Sequence, residues 1–301
     1  MRRAVSVRAP AKINLLLRVL GRREDGFHEL ETLFQSIDFT DELTVEMVGD
    51  SVELEVVGAD VAAVVDELGP VADNLAFRAA EAYRLVADLG SGVRIRLTKH
   101  IPAGAGLGGG SSDAAAVLRA LNHLTDGAVA DEALLDIGAD LGSDVPFFLC
   151  DSALAFARGG GEELTTLSAL PSASVVLVCP PVHVATGPAF AALAEGRRST
   201  GAQPRAPLER MPSAWDMVDQ LAENDFEALV ADQYREVRQA LTALRNAGLR
   251  SVMLSGSGGA CFGLATDALQ ASSTAERLSD ELGWRVLATR TLDQPPPVWP
   301  L

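Results

Sequence analysis

A glycine-rich stretch between a predicted strand and a predicted helix is the feature that most constrains how this chain can fold. Five glycines fall between positions 104 and 110, directly before an alanine-rich segment. Because glycine has no side chain, such a loop lets the backbone approach a ligand closely and direct its free N–H groups at an anion. The stretch therefore predicts a phosphate-binding loop at a helix N-terminus; the alternative is an ordinary flexible loop.

The segments on either side of the glycines predict a strand before them and a helix after them. Val93–Thr98 alternates apolar and basic residues, as a half-buried strand does. The helix is predicted to begin at Ser111 or Ser112, with a serine cap and Asp113 in its first turn. Apolar residues at helical spacing predict its buried face: Val117, Leu118, Leu121 and Leu124.

The rest of the first half predicts a β-rich opening followed by helices. Short alternating or β-branched runs separated by turn residues favour antiparallel strands at 3–9, 12–20, 30–38, 41–48 and 52–57. Helices are predicted from Asn74 to about Asp88 and near 131–141. The apolar run Val145–Cys150 is typical of a buried strand, and three glycines at 159–161 predict a turn.

The second half predicts a different arrangement of strands and helices. The pattern indicates a strand at 175–179, a helix from about Gly187 and two helical stretches within 214–247. Further strands at 251–255, 260–265 and 284–290 and a helix at 268–282 complete a βαββαβ order, that of a ferredoxin-like domain. Residues 196–205 form a polar segment, and the prolines at 295–297 exclude a helix or central strand there.

Composition sets limits on the class of protein. The 301 residues, 48% of them hydrophobic, favour two domains: residues 1–165, residues 166–292 and a Pro-rich tail at 293–301. The net charge of −16 opposes nucleic-acid binding. No apolar stretch approaches the roughly 18 residues of a membrane span, and three widely spaced cysteines are typical of buried thiols. We expect a soluble cytoplasmic protein, a monomer or weak homodimer.

Lysine is rare in a chain rich in arginine. Of the 25 basic residues, only Lys12 and Lys99 are lysines. A compact ammonium differs from a planar guanidinium in shape, hydration and pKa, so these two positions are candidates for specific roles. The alternative is two incidental surface lysines.

The glycines also satisfy the dinucleotide fingerprint G-x-G-x-x-G between Gly104 and Gly109. Five residues separate the predicted strand from Gly104, and a second helical pattern follows where a strand would be required, so the context opposes this match. No Gly-Lys-Ser/Thr follows either, which excludes a Walker loop. A nicotinamide-dependent oxidoreductase stays as the alternative from another class.

The longer segment from Pro102 to Ala115 resembles the nucleotide loop of the galactokinase, homoserine kinase, mevalonate kinase and phosphomevalonate kinase superfamily, and closely its diphosphocytidyl-methylerythritol branch. By this resemblance the loop wraps the ATP phosphates, with serine hydroxyls near the phosphates and Mg²⁺. His100 would also flank the nucleotide, and Asp73-Asn74-Leu75 resembles the adenine-side segment, although Asn74 alone predicts only a helix cap. The implied nucleotide-binding residues are Asn74, Lys99, Pro102, Gly104, Gly106, Leu107, Gly108, Gly109, Gly110, Ser111 and Ser112.

Two further segments resemble the catalytic motifs of this superfamily. Ala9–Leu15 resembles its first motif, which implies that Lys12 and Asn14 lie in the catalytic centre. Gly142–Phe148 resembles the segment whose aspartate is the base, so Asp144 is implied to accept the proton of the attacking hydroxyl. The residues alone leave two alternatives open: Lys12 at an edge strand pointing to water, and Asp144 as a turn residue before a strand.

The implied substrate contacts lie in three more segments. Arg22–Leu30 resembles the branch-specific loop in which Phe27 and His28 hold a cytosine ring, with Phe27 where relatives often carry tyrosine; the alternative is core packing. Pro180–Phe190 resembles a segment that closes the substrate cleft, with contacts at Thr186 and Phe190. Leu254–Phe262 resembles the third motif, a glycine turn that packs against the nucleotide loop.

The resemblance implies a two-domain α+β fold with a β-rich nucleotide-binding domain and a ferredoxin-like domain. It implies a kinase that uses ATP with Mg²⁺ to phosphorylate the 2-hydroxyl of 4-diphosphocytidyl-2-C-methyl-D-erythritol in the non-mevalonate route to isoprenoid precursors. The alternatives are a sibling kinase for homoserine or mevalonate and a catalytically silent nucleotide-binding module. No dedicated protein site for a metal ion is predicted.

Overall fold

The computed structural model describes residues 3–22, 28–58, 70–200, 207–208 and 210–301, with backbone only for residues 3, 22 and 197–200. Two β-sheets organise these residues, one with seven strands and one with four. Helices cover one face of each sheet, and apolar side chains fill the space between helices and sheets. Among the described residues no helix is long and apolar enough to cross a membrane.

The seven-stranded sheet has the order β11-β1-β2-β4-β3, with β5 paired to β2 and β6 paired to β5. Among the strands that the structure describes in this sheet, β3 and β4 are the pair that runs parallel. The strands are β1 (Arg3–Arg22), β2 (His28–Met47), β3 (Val52–Val57), β4 (Val93–Thr98), β5 (Leu154–Arg158), β6 (Glu163–Thr166) and β11 (Val298–Pro300).

The first two strands are each twenty residues long, whereas the sequence predicted four shorter strands over this part. Their pairing register shifts between Pro10 and Ala11 and again after Asn14. Proline cannot donate to a ladder, and a bulge accommodates it without ending the strand. Residues that the sequence analysis took as turns between short strands, such as Pro10, therefore mark bulges within long strands.

Within the described residues, four α-helices accompany this sheet: α1 (Leu75–Val86), α2 (Gly109–Leu124), α3 (Asp131–Leu141) and α4 (Val145–Leu149). The predicted cap of α1 is confirmed, because the Ala76 N–H donates to Asn74 Oδ1 at 2.9 Å. The four residues predicted for the apolar face of α2 are all buried. The prediction of a strand at Val145–Cys150 is wrong. A six-residue apolar run does not distinguish a strand from a buried helix, and Pro146 suits the first turn of a helix.

The four-stranded antiparallel sheet has the order β10-β7-β9-β8. Its strands are β7 (Ser174–Cys179), β8 (Arg250–Leu254), β9 (Cys261–Ala265) and β10 (Arg285–Arg290). Its helices are α5 (Thr186–Thr200), α6 (Trp215–Leu221), α7 (Glu227–Gln233), α8 (Arg235–Asn246) and α9 (Ala268–Leu282). The predicted βαββαβ order is confirmed. Three helices occupy 214–247 where two were predicted, because Tyr234 is extended and separates α7 from α8.

The C-terminal residues return to the first sheet. Val298–Pro300 pairs with residues 5–7 of β1 as an edge strand, the position that tolerates proline. Arg119 of α2 donates to the carbonyl of Pro296 at 2.9 Å and holds the approach to this strand. The predicted domain boundaries at 165 and 292 stay predictions.

Candidate active site

A cavity of about 750 Å³ is lined by strands of the seven-stranded sheet and by segments that flank the four-stranded sheet. The glycine-rich loop from Pro102 to Gly110 forms one wall. The middle of β1 and the segment Gly142–Asp144 form another. The start of α5 and the turn between β8 and β9 line the cavity from the side of the four-stranded sheet. Most of the residues predicted from the sequence to bind nucleotide or substrate therefore line one cavity.

The glycine-rich loop owes its path to left-handed backbone that side chains disfavour. Gly104, Gly106 and Gly108 have φ values of +65°, +82° and +70°. Gly108 is the N-cap of α2, so the helix begins at Gly109 and the prediction of a serine cap is wrong. The free N–H groups of the first turn lie at the cavity wall, where they suit an anion.

The two serines after the glycines have different surroundings. Ser111 lines the cavity. Ser112 does not line it: it is 1% exposed, and its hydroxyl has no hydrogen-bond partner among the described residues. Asp113 lies beyond the first turn and is buried, contrary to its predicted place in that turn. Ser111 is thus the serine that can contact a ligand in this arrangement.

The turn between β8 and β9 packs directly on the glycine-rich loop, as predicted for the Leu254–Phe262 segment. The Ala260 N–H donates to the Ala105 carbonyl at 3.0 Å, and Ser255 Oγ donates to the Gly106 carbonyl at 3.0 Å. A Cβ at Gly106 would lie 2.1 Å from the Ser255 carbonyl oxygen. The contact between loop and turn requires glycine.

Lys12 is a buried cation at the centre of the cavity. It is 3% exposed, and its Nζ donates to Asn14 Oδ1 at 2.7 Å and to the Gly106 carbonyl at 2.9 Å. The alternative of an edge lysine pointing to water is wrong, because the glycine-rich loop covers this side of β1: the Lys12 main-chain N–H donates to the Leu107 carbonyl at 2.9 Å. Burial lowers the pKa of Lys12, and the charge of Asp144 opposes that shift.

Asp144 lies beside Lys12, although 131 residues separate the two along the chain. Its Oδ2 lies 3.6 Å from Lys12 Nζ, and its side chain is 29% exposed. It precedes α4 as the N-cap residue, with φ −86° and ψ −13°. A partly open carboxylate and a buried ammonium therefore face the same space.

The substrate end of the cavity is aromatic. The His28 and Phe190 rings lie 5.0 Å apart, and Phe190 contacts Phe226 with 4.6 Å between centroids. Ser257 Oγ donates to Thr186 Oγ1 at 3.2 Å beside them. Such surfaces suit stacking with a flat ring. Phe27 lies outside the described residues.

The other residues predicted to contact the nucleotide already make hydrogen bonds or ion pairs with protein groups. The Asn74 side chain accepts a hydrogen bond as a helix cap, while its neighbour Leu75 lines the cavity. Lys99 lines the cavity too, but its ammonium is paired with two buried carboxylates, Asp41 and Asp113. His100 is not part of the lining, and its main-chain N–H donates to Asp41.

Several lining residues were not predicted. Gly160 and Gly161 face the cavity, although the sequence suggested only a turn there. Three consecutive glycines between a strand and a polar segment were the available signal. Other lining residues that sequence reasoning missed lie on β1 and β2, after α3, before α7 and after β8: Leu17, Leu30, Thr32, Phe34, Ser143, Phe226, Gly256 and Ser257.

The oxygen atoms in the cavity fit a magnesium ion that arrives with a nucleotide. Among the described residues no cluster of three or more His, Cys, Asp or Glu could hold a metal alone. Mg²⁺ typically keeps several waters and binds one or two carboxylates plus substrate phosphates. The Asp144 carboxylate and the Ser111 hydroxyl supply oxygens of that kind.

Comparison with known proteins gives consistent matches. The model for the GHMP kinases N terminal domain matches residues 74–152, and the model for GHMP kinases C terminal matches residues 207–283. A 4-diphosphocytidyl-2-C-methyl-D-erythritol kinase from Citrifermentans bemidjiense is 39% identical over 94% of this chain and 98% of its own length. A crystal structure of 4-(cytidine 5'-diphospho)-2C-methyl-D-erythritol kinase superposes with a TM-score of 0.78 at 39% identity, covering 95% of this chain and 98% of the other.

A more distant structure shares the fold alone. Homoserine kinase from Cytophaga hutchinsonii superposes with a TM-score of 0.70 at 18% identity, over 98% of this chain and 97% of that one. At this identity the likeness concerns only the arrangement of helices and strands.

Proposed function

We propose a mechanism for this chain from one premise: it belongs to the family of 4-diphosphocytidyl-2-C-methyl-D-erythritol kinases, within the GHMP kinases. The chain is an ATP-dependent small-molecule kinase, and it phosphorylates 4-diphosphocytidyl-2-C-methyl-D-erythritol in the non-mevalonate route to isoprenoid precursors. The acceptor in our proposal is the 2-hydroxyl. The observation that supports the assignment of residues is the convergence of Lys12 and Asp144 beside the glycine-rich loop.

The glycine-rich loop is proposed to bind the ATP phosphates. Its left-handed glycines leave room for the phosphates, and the N-terminus of α2 offers N–H groups and a positive dipole end. Leu75 and Asn74 lie on the proposed adenine side. Mg²⁺ would be held by oxygens of Asp144 and Ser111 and would neutralise charge on the phosphates.

Asp144 is proposed to accept the proton of the substrate hydroxyl as that oxygen attacks the γ-phosphorus. Lys12 stabilises the negative charge on the reacting oxygens and orients the carboxylate, because its Nζ is held by Asn14 and Gly106. In phosphoryl transfer the transition state is loose, so positioning and charge stabilisation provide most of the catalysis. The burial of Lys12 strengthens its electrostatic effect.

The aromatic end of the cavity is proposed to bind the cytosine ring against the surface that His28 and Phe190 form together. The two rings contact each other, with their centroids 5.0 Å apart, and Phe226 supports Phe190 from behind. Stacking of a base on an aromatic side chain contributes roughly 1–3 kcal/mol. The proposed neighbours of this ring include Phe27 and Thr186.

Replacing His28 with alanine should therefore raise KM for the diphosphocytidyl alcohol about tenfold or more, with little change in KM for ATP. Steady-state kinetics with each substrate varied in turn measures both constants. His123, exposed in the last turn of α2, provides the matched control, because His123→Ala should change neither constant. An equal rise in both KM values would contradict the assignment of His28 to the cytosine.

One assay with a panel of three alcohols tests which of them the enzyme phosphorylates. ADP release from ATP and Mg²⁺ is measured with the diphosphocytidyl alcohol, homoserine and mevalonate at equal concentrations, and phosphorus NMR of the product identifies the phosphorylated hydroxyl. We expect turnover with the first compound and a phosphomonoester at its 2-position. Turnover with only homoserine or mevalonate would overturn the substrate, and binding of NADH in preference to ATP would overturn the kinase assignment.

The cellular compartment and the oligomeric state of the enzyme are also proposals. We infer a cytoplasmic enzyme that acts as a monomer or weak homodimer. Support for a reducing compartment comes from the three free cysteines, two of which are buried. Sedimentation velocity at micromolar concentration measures the oligomeric state.

A further inference from the structure

A chain of buried hydrogen bonds connects Thr32 of β2 to the ammonium of Lys12. Lys12 Nζ donates to Asn14 Oδ1 at 2.7 Å, and Asn14 Nδ2 donates to Thr32 Oγ1 at 2.7 Å. Thr32 Oγ1 in turn donates to the Leu16 carbonyl at 2.8 Å. The three side chains are 1–3% exposed, and all three line the cavity. The chain of bonds is therefore shielded from water along its length.

These hydrogen bonds have only one chemically consistent direction. An ammonium can only donate, so the atom of the Asn14 amide that faces Lys12 must be the oxygen. The Thr32 hydroxyl has a single proton and donates it to the Leu16 carbonyl, so Thr32 can only accept from Asn14. Both ends of the amide are thus fixed by their neighbours, and Thr32 holds the Asn14 oxygen toward the lysine.

Thr32 also lies opposite a bulge in β1. The register between β1 and β2 shifts between Asn14 and Leu16. The Thr32 hydroxyl bonds to one residue on each side of this shift. Because a bulge changes the direction in which a strand presents its side chains, a contact that spans the bulge fixes that direction. A side chain of β2 therefore sets how the bulged strand presents Asn14.

The Lys12 ammonium has few directions left for its protons. Of its three N–H groups, one is directed to Asn14 and one to the Gly106 carbonyl. The Phe34 ring lies against it, with 5.4 Å between Nζ and the ring centroid. The third N–H group is left for the space that Lys12 shares with Asp144, whose Oδ2 lies 3.6 Å from Nζ. Loss of the bond to Asn14 would free the ammonium to turn away from that space.

We propose that Thr32 is a positioning residue for phosphoryl transfer. It fixes the Asn14 amide, and the amide directs the Lys12 ammonium at the oxygens that carry negative charge in the transition state. A charged group stabilises a transition state best when it is already oriented before the reaction. In this role Thr32 acts through Asn14 and does not touch the reacting atoms. The inference rests on the proposed function, in which Lys12 stabilises those oxygens.

Thr32→Val removes the hydroxyl and keeps the shape of the side chain. We expect kcat to fall about tenfold, a coupling of ordinary size within one hydrogen-bond network, while both KM values stay within about threefold of the wild type. Thr32→Ser keeps the hydroxyl and should hold kcat within about threefold. Steady-state kinetics with each substrate varied in turn measures these constants. A raised KM for the alcohol with unchanged kcat would mean that Thr32 contacts the substrate itself, and would overturn the proposal.

A second threonine on β2 provides the matched control. Thr40 is buried, and its Oγ1 accepts a hydrogen bond from Arg8 Nε of β1 at 3.2 Å, as Thr32 accepts one from Asn14. Thr40 lies outside the cavity lining. Thr40→Val therefore removes a comparable contact between the two strands and should leave kcat unchanged. An equal loss of kcat in Thr40→Val and Thr32→Val would mean that Thr32 only stabilises the sheet, contrary to the proposal.

A double-variant cycle tests the path through Asn14. Asn14→Ala breaks the bond to Lys12 and should lower kcat at least as much as Thr32→Val does. With Asn14 replaced, Thr32→Val should lower kcat by less than a further factor of about two, because both changes break the same chain of bonds. Losses that multiply would overturn the proposal. Thr32→Ala, which also lacks the hydroxyl, takes the place of Thr32→Val if the valine variant does not fold.

A direct readout uses the two lysines of the chain and requires no turnover. Protein labelled with nitrogen-15 at lysine Nζ has two labelled side chains, and Lys12→Ala identifies the resonance of Lys12. Thr32→Val should shift that resonance and speed the exchange of its protons with water about threefold or more, with the Lys99 resonance unchanged. Equal changes at both lysines, or none at Lys12, would overturn the proposal. Because no substrate is present, this result is independent of whether the diphosphocytidyl alcohol is the substrate, so the two failures are distinguishable.

Discussion

Asp144→Asn is expected to lower kcat by about a thousandfold while MgATP still binds. The amide keeps the shape of the side chain but cannot accept the proton of the attacking hydroxyl, and loss of a general base typically costs 10²- to 10⁴-fold. Asp144 is partly exposed, and its one ion pair with a described residue is the 3.6 Å contact to Lys12, so the fold should tolerate the change. Single-turnover kinetics and calorimetry with MgATP measure the two effects separately.

The control for this variant lies four residues earlier. Asp140→Asn removes an exposed carboxylate from α3 and should leave kcat unchanged. Lys12→Ala should also lower kcat by orders of magnitude, and the double variant should lose less than the product of the two single losses because the pair acts as a unit. Wild-type turnover by Asp144→Asn would show that another group accepts the proton.

Gly258→Ala is expected to disrupt the contact between the β8–β9 turn and the glycine-rich loop. A Cβ there would lie 2.2 Å from the Ala105 carbonyl carbon and from the Gly106 nitrogen, both of them backbone atoms that cannot rotate away. Overpacking of this kind costs roughly 1–3 kcal/mol. We expect Tm to fall by about 5 °C and MgATP affinity to fall about tenfold, because the loop must move.

Variants at two other glycines test whether a steric clash causes the expected effects of Gly258→Ala. Gly90→Ala has nothing within 4 Å of the new Cβ, and Gly283→Ala has the same open space but a left-handed φ of +67°. Gly90→Ala should change neither Tm nor affinity. Gly283→Ala should lower Tm through backbone strain without changing MgATP affinity, since it lies at the end of α9. An affinity for Gly258→Ala equal to that of Gly90→Ala would show that the turn does not support the loop.

The pattern of apolar and polar residues correctly predicted the helices whose periodicity is long and regular. The bounds predicted for α3 and α9, 131–141 and 268–282, match the structure, and the cap at Asn74 is present. Short apolar runs were less informative. Val145–Cys150 fits a strand or a helix equally well by composition, and only its packing against α2 and α3 selects the helix.

The site was predictable where an unusual residue or a long motif marked it. The rarity of lysine in this chain made Lys12 and Lys99 candidates for specific roles, and both are buried and line the cavity. The partners of Lys99 were not predictable in the same way. Asp41 belongs to a strand and Asp113 to an alanine-rich helix. The pairing of β2 with β4 brings Asp41 to the Lys99 ammonium, and the packing of α2 on β1 and β2 brings Asp113 to it.

The return of the chain to β11 also limits how the two sheets can move. The polypeptide crosses between them at residues 167–173 and again at 291–297, and the crossings are joined because Ala173 and Thr291 exchange hydrogen bonds at 2.9 Å. Because the two crossing segments lie side by side, they act together as one short hinge. A widening of the cavity that bends the molecule at this pair must also break the backbone hydrogen bonds across the cavity, which join Leu17 to residues 223 and 225 and Ala260 to Ala105.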